Sequence, residues 1–187
     1  LPKFIYYNDL LEMINESSKG KEGLRDRLII EMLYATGVRV SELVNIKIND
    51  IDFNNRRIIV CGKGNKERIV YYGEYAMKVL NDYLRGRENI NNQYLFLNNR
   101  GEKLTDRGVR YIIDNIMKNL SVKTHVTPHV LRHTFATDML NNGCDIKVVQ
   151  ELLGHSSLKT TEVYTHVTND RLKEVYYRCF PRRDKDE

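Results

Sequence analysis

The sequence has little of what marks a secreted, metal-bound or membrane-embedded chain. Its three cysteines, Cys61, Cys144 and Cys179, stand far apart among 187 residues. An odd number with no CxxC pair excludes a disulfide framework and a cysteine-based zinc site, and it fits a reducing compartment. Apolar runs are only a few residues long, as at Leu28 to Ile30, so no segment reads as a membrane span. No basic start followed by an apolar stretch and a small-residue cleavage site is present, so no secretory signal is expected. Internal repeats and low-complexity tracts are also missing. His129 and His133 have the spacing of two zinc ligands on a helix, but Val130 stands where a metalloprotease needs glutamate. The loop Gly62-Lys63-Gly64 lacks the upstream glycine and the following Ser or Thr of a nucleotide phosphate loop. No tight group of Asp and Glu resembles a two-metal nuclease. No metal and no cofactor are therefore expected.

What is present is a globular composition, 41% hydrophobic and 29% charged, long enough for one compact domain. Thirty Lys and Arg against 25 Asp and Glu leave +5. Most of that excess is local: Arg56, Arg57, Lys63, Lys66 and Arg68 face one acid, Glu67, in a short loop-rich stretch. Such clustering reads as a surface for a phosphate backbone, with Arg56, Arg57, Lys66 and Arg68 as DNA contacts.

Periodicity predicts helices from Asn8 to about Ser18 and from Gly23 to Thr36, the second with a stripe of Leu28, Met32 and Ala35 and with Gly37 as its cap. A short turn of helix follows at Ser41 to Val44, capped by Ser41. The period then changes. Asp50 to Phe53, Arg57 to Cys61 and Glu67 to Tyr72 read as three strands joined by tight turns. Helices return at roughly 74–86, 105–119, 128–142, 145–153, 157–164 and 169–179. Thr105 and Thr127 suit N-caps, Pro128 the first helical position and Gly143 an exit. The fold class is mostly α with a small three-stranded antiparallel sheet.

Four stretches carry candidate chemistry. ATGVRVSEL sets Arg39 just past a helix end, and CGKGNKER sets Lys63 at a hairpin tip. PHVLRHTFAT places His129 and Arg132 three apart, on one helix face. LLGHSSLKTTEVYTHV brings His155 and then Tyr164. In residue type, order and spacing, Arg39, Lys63, His129, Arg132, His155 and Tyr164 resemble the active-site set of the tyrosine recombinases (phage integrase family), closest to their Xer-type branch. The resemblance covers essentially the whole chain. It implies that residues 1–187 form a catalytic domain of tyrosine recombinase fold. The family's N-terminal DNA-gripping domain is then absent from this chain, which begins at Leu1.

The resemblance also implies roles. A phosphodiester's developing charge must be met by fixed cations where no metal serves, and an arginine fork binds two phosphate oxygens while staying charged. Arg39 and Arg132 would form that clamp, with Glu42 buttressing Arg39 and His155 donating a further hydrogen bond. Ionising a phenol at pH 7 costs roughly 4 kcal/mol, so the proton of Tyr164 must leave as it attacks, with help from His129. Lys63 would protonate the departing 5′ oxygen. The product is a 3′-phosphotyrosyl link, and exchange between two duplexes passes through a Holliday junction. That chemistry serves Xer-like chromosome dimer resolution or mobile-element integration. Double-stranded DNA is the expected partner, bound by a homotetramer or related heterotetramer on paired sites, with an accessory activator protein as a further candidate. The helix at 169–180 is expected to be exchanged between protomers, and the location to be cytoplasmic and nucleoid-associated. Two other readings share these motifs: a type IB topoisomerase that relaxes supercoils, and a non-catalytic DNA-binding module. Full occupancy of the six positions argues against the module, which needs no nucleophile.

Overall fold

A computed structural model describes residues 3–87, 89–155 and 169–184. In chain order its elements are α1 (Tyr7–Ser17), α2 (Gly23–Thr36), α3 (Val40–Val44), β1 (Ile51–Asp52), β2 (Arg57–Cys61), β3 (Glu67–Tyr71), α4 (Glu74–Arg85), α5 (Asp106–Lys118), α6 (Pro128–Asn141), α7 (Ile146–Leu153) and α8 (Asn169–Cys179). The expected helix at 157–164 lies outside the described residues.

Helix α2 runs through the middle. Every residue from Leu28 to Thr36 is buried, including Glu31, so the expected single apolar stripe is replaced by burial on all sides. The reason is its surroundings, with α1, α4 and α6 packed around it. The sheet is antiparallel in the order β1-β2-β3, with Ile58 opposite Val70 and Val60 opposite Arg68. Strand alternation turns Ile58, Val60 and Val70 inward and leaves Ile59 45% exposed. β1 is shorter than expected because Phe53 already belongs to the turn.

Caps Thr105 and Thr127 accept hydrogen bonds from the N–H groups of Gly108 (3.0 Å) and Val130 (3.2 Å). Ser41 does not cap α3. Arg39 takes the N-cap position, and its backbone N–H donates to Glu42 Oε1 at 2.8 Å.

In the single chain, α8 buries Leu172, Val175, Tyr176 and Cys179 against its own domain. The Tyr176 ring lies 5.0 Å from that of Phe180, and its hydroxyl donates to the Ala35 carbonyl in the last turn of α2 at 2.7 Å. Beyond the helix, buried Arg182 forms two bonds to Glu31 (2.6 and 3.1 Å) and stacks over Tyr75 at 4.1 Å. The Arg183 carbonyl accepts from the Glu74 N–H at 2.6 Å. This side of 169–180 is occupied at home, and the apolar fill and the ion pair explain why.

Candidate active site

Arg132 sits on the first turns of α6, only 7% exposed. Its guanidinium donates to the carbonyls of Gly37 (2.6 Å) and Leu153 (2.9 Å). Those carbonyls end α2 and α7, where unpaired C=O groups carry partial negative charge. Two helix C-termini thus compensate a buried cation. Burial first, then neighbouring Arg39 and Arg68, push the Arg132 guanidinium down to about 10, so it stays charged at neutral pH. Gly37 is needed at this joint. Its φ is +65°, and a Cβ there would approach Phe135 Cδ1 to 2.5 Å.

Arg39 follows the same α2 turn and leaves nearly half of its side chain exposed. His155 follows α7 immediately after Gly154, which is itself left-handed at φ +70°. Burial first, then Arg132, Arg39 and Arg68, hold the His155 imidazole below its ordinary pKa. Arg39, His129, Arg132 and His155 line one cavity of about 530 Å³. Arg39 and His155 also line an adjoining cavity of about 680 Å³ with Lys63 and Lys66. Four side chains from helix ends and two from a hairpin therefore converge on a shared cleft. His133 is exposed and lines neither cavity.

Glu42 does more than buttress Arg39. Its side chain is 2% exposed and forms a close ion pair with Arg68 Nη1, while Arg68 Nη2 lies 3.2 Å from the other carboxylate oxygen. Arg68 Nε donates to the Leu152 carbonyl at 3.0 Å. One arginine thus ties β3 to α3 and α7. The guanidinium of Arg39 is farther from Glu42, at 3.8 Å.

The basic stretch accordingly divides. Arg68, expected as a DNA contact, is turned inward and engaged. Arg56 pairs with Asp184 (3.4 Å) and Arg57 with Asp52 (3.1 Å) at the far end of β2. Lys63 and Lys66 are exposed in the β2–β3 turn and face the cleft. Gly64 and Asn65 are left-handed there, with φ of 72° and 57°. Strand alternation would have found Arg68: it shares the inward face with Val70.

Tyr164 and His166 lie outside the described residues. The other tyrosines near the C-terminus are committed to structure. The Tyr176 hydroxyl is buried on Ala35, and that of Tyr177 donates to the Tyr72 carbonyl at 2.7 Å. Sequence reasoning missed Arg110, which lines the cavity with His129, and Asn45, which lines the one with Lys63. Arg110 lies between inward Val109 and Ile113 on amphipathic α5, and helical phase gives no sign of what faces it.

The sequence profile of the phage integrase family matches residues 3–171. The chain belongs to this family. Among family members, the tyrosine recombinase XerC of Staphylococcus saprophyticus subsp. saprophyticus is 46% identical over 190 residues, covering 100% of this chain and 64% of that protein. XerC of Staphylococcus aureus strain JH9 gives the same identity and shares. The chain thus spans less than two thirds of the length of these relatives. Of solved structures, the XerA recombinase crystal structure superposes with a TM-score of 0.77 at 38% identity, covering 97% of this chain and 67% of that one. XerH bound to its difH substrate before cleavage gives 0.72 at 31%, covering 95% and 54%. The fold is that of the tyrosine recombinase catalytic domain.

Proposed function

We propose that this chain is the catalytic domain of a Xer-type site-specific DNA recombinase. The observation that carries the reading is the convergence of Arg39, Lys63, His129, Arg132 and His155, from four separate segments, on one cleft. The likeness to XerC and to a DNA-bound XerH supports duplex DNA as the substrate.

In this reading Arg39 and Arg132 bind the non-bridging oxygens of the scissile phosphate. The Arg132 charge is held in place by two carbonyls before substrate arrives, so little reorganisation of that group accompanies the transition state. Neutral His155 donates its single N–H to the same phosphate. The Tyr164 oxygen attacks phosphorus, its proton passes to His129, and the bond to the 5′ oxygen breaks. Lys63 supplies the proton that the 5′ oxygen takes up. The 3′-phosphotyrosyl bond retains the energy of the phosphodiester, so a 5′ hydroxyl from the second duplex reverses the step without ATP. Four protomers on two paired sites carry the exchange through a Holliday junction, and an accessory protein is a candidate for controlling it. The Glu42–Arg68 pair keeps the Arg39 turn, the hairpin strand and the His155 turn in register.

The test is a suicide duplex bearing a site recovered by trapping covalent complexes on chromosomal fragments. Wild-type protein and Tyr176→Phe should form an adduct that survives denaturation, with or without EDTA, whereas Tyr164→Phe should bind the duplex and form none. An adduct in Tyr164→Phe, or none in any variant, overturns the assignment.

A further inference from the structure

Beside the cleft stands a basic group that the mechanism does not use. Lys47 and Tyr94 face each other in an antiparallel bridge, fixed by Ile48 N–H to Gln93 O and Leu95 N–H to Ile46 O, both 2.9 Å. Leu97 and Lys103 form a second bridge, braced by Leu104 N–H to Phe96 O at 2.9 Å. Three separated segments thereby bring two ammonium groups to one ring. Lys47 Nζ is 5.9 Å and Lys103 Nζ 4.8 Å from the Tyr94 centroid. Neither lysine forms an ion pair among the described residues, in contrast to Lys19, which pairs with Glu16 at 2.7 Å. The ring quadrupole attracts each cation, and both long side chains lose freedom on it. Two cations so placed present positive charge to an anionic backbone.

The platform is continuous with the cleft. Lys103 Nζ donates to Asn45 Oδ1, and Asn45 Nδ2 donates to the Ser41 carbonyl at 2.7 Å. Asn45 and Ser41 themselves line the cavity that holds Arg39 and Lys63. From Arg39 to Asn45 the chain follows α3, an advance of about 9 Å at 1.5 Å per residue. That advance is short enough for phosphates neighbouring the one gripped by Arg39 to come within reach of the platform.

We propose that Lys47 and Lys103, held around Tyr94, bind backbone phosphates of the DNA that flank the phosphate gripped by Arg39. The proposal rests on the recombinase reading and adds to it a docking site outside the chemistry. The site reads no bases. It anchors the strand beside the scissile position on segments tied together by two backbone bridges.

Its test uses the electrostatic part of binding, which needs no specific site. Affinity for a 30-base-pair duplex of arbitrary sequence is measured by fluorescence anisotropy over a series of salt concentrations. Removing the cation that neutralises one phosphate lowers the slope of log K against log salt by about 0.9. Lys47→Ala/Lys103→Ala should reduce the slope by about 1 to 2, and Lys47→Arg/Lys103→Arg should restore it. Thermal melting should match wild type. An unchanged slope in the alanine variant overturns the platform while leaving the recombinase reading intact. Wild-type protein that neither binds duplex nor forms an adduct overturns both.

Discussion

Single residues in the cleft have properties set by their neighbours more than by their type. Arg132 is a cation placed where water is scarce, tolerated because two helix ends present carbonyls to it. His155 shares that field. Its pKa is depressed by burial and by three arginines, so the folded chain takes up this proton at lower pH than the unfolded chain does. Below about 6.5, the unperturbed imidazole value, the unfolded state then holds more of that proton. The His155 contribution to stability is present above that pH and is lost as pH falls through it towards the folded value. We expect the His155 imidazole resonance, followed by NMR, to titrate with a midpoint below 6.5, and to move up when Arg68 is replaced by Met. A wild-type midpoint at or above 6.5 would contradict the electrostatics described.

Elements meet at the cleft through Arg68. β3 supplies it from the inward face, α3 supplies Glu42, and α7 supplies the Leu152 carbonyl. Gly154 keeps its place for the same reason: a Cβ there would come within 2.8 Å of the Arg68 side chain. Breaking a buried pair from one side leaves an uncompensated charge, which typically costs about 3–5 kcal/mol. Arg68→Ala should therefore lower unfolding free energy by about that much in urea titrations. Lys66→Ala, two residues away and exposed, should change it by no more than about 0.5 kcal/mol. Equal stabilities for the two variants would return Arg68 to the role of a surface contact.

The whole molecule is closed by its C-terminal segment. Phe180 completes an aromatic group with Tyr34, Phe135 and Tyr176, and the Arg182–Glu31 pair fastens the chain to the centre of α2. Both partners of that pair are almost fully buried, at 5% and 2% side-chain exposure. Arg182→Ala should destabilise by about 3–5 kcal/mol, whereas Glu31→Leu with Arg182→Met should recover most of the loss, because desolvation opposes the attraction in the native pair. If both variants unfold at the same urea concentration, the pair is not what holds the segment.

Much of this protein follows from local sequence. Helix bounds within a residue or two, the caps Thr105 and Thr127, Pro128 and the Gly37 turn all come from interactions inside a few residues, which a sequence displays directly. The three-residue spacing of His129 and Arg132 likewise fixes a shared helix face before any packing. Three things depended on tertiary structure. Whether a basic residue is free or engaged is decided by what stands opposite, so Arg68 could be separated from Lys63 and Lys66 only once Glu42 and Leu152 were in place. The packing of α8 within the chain turned on the Ala35 carbonyl and Glu31, more than 140 residues away. The Lys47, Tyr94 and Lys103 platform joins three segments with no common motif. Charge and burial are properties of neighbourhoods, and distant neighbours are chosen by the fold.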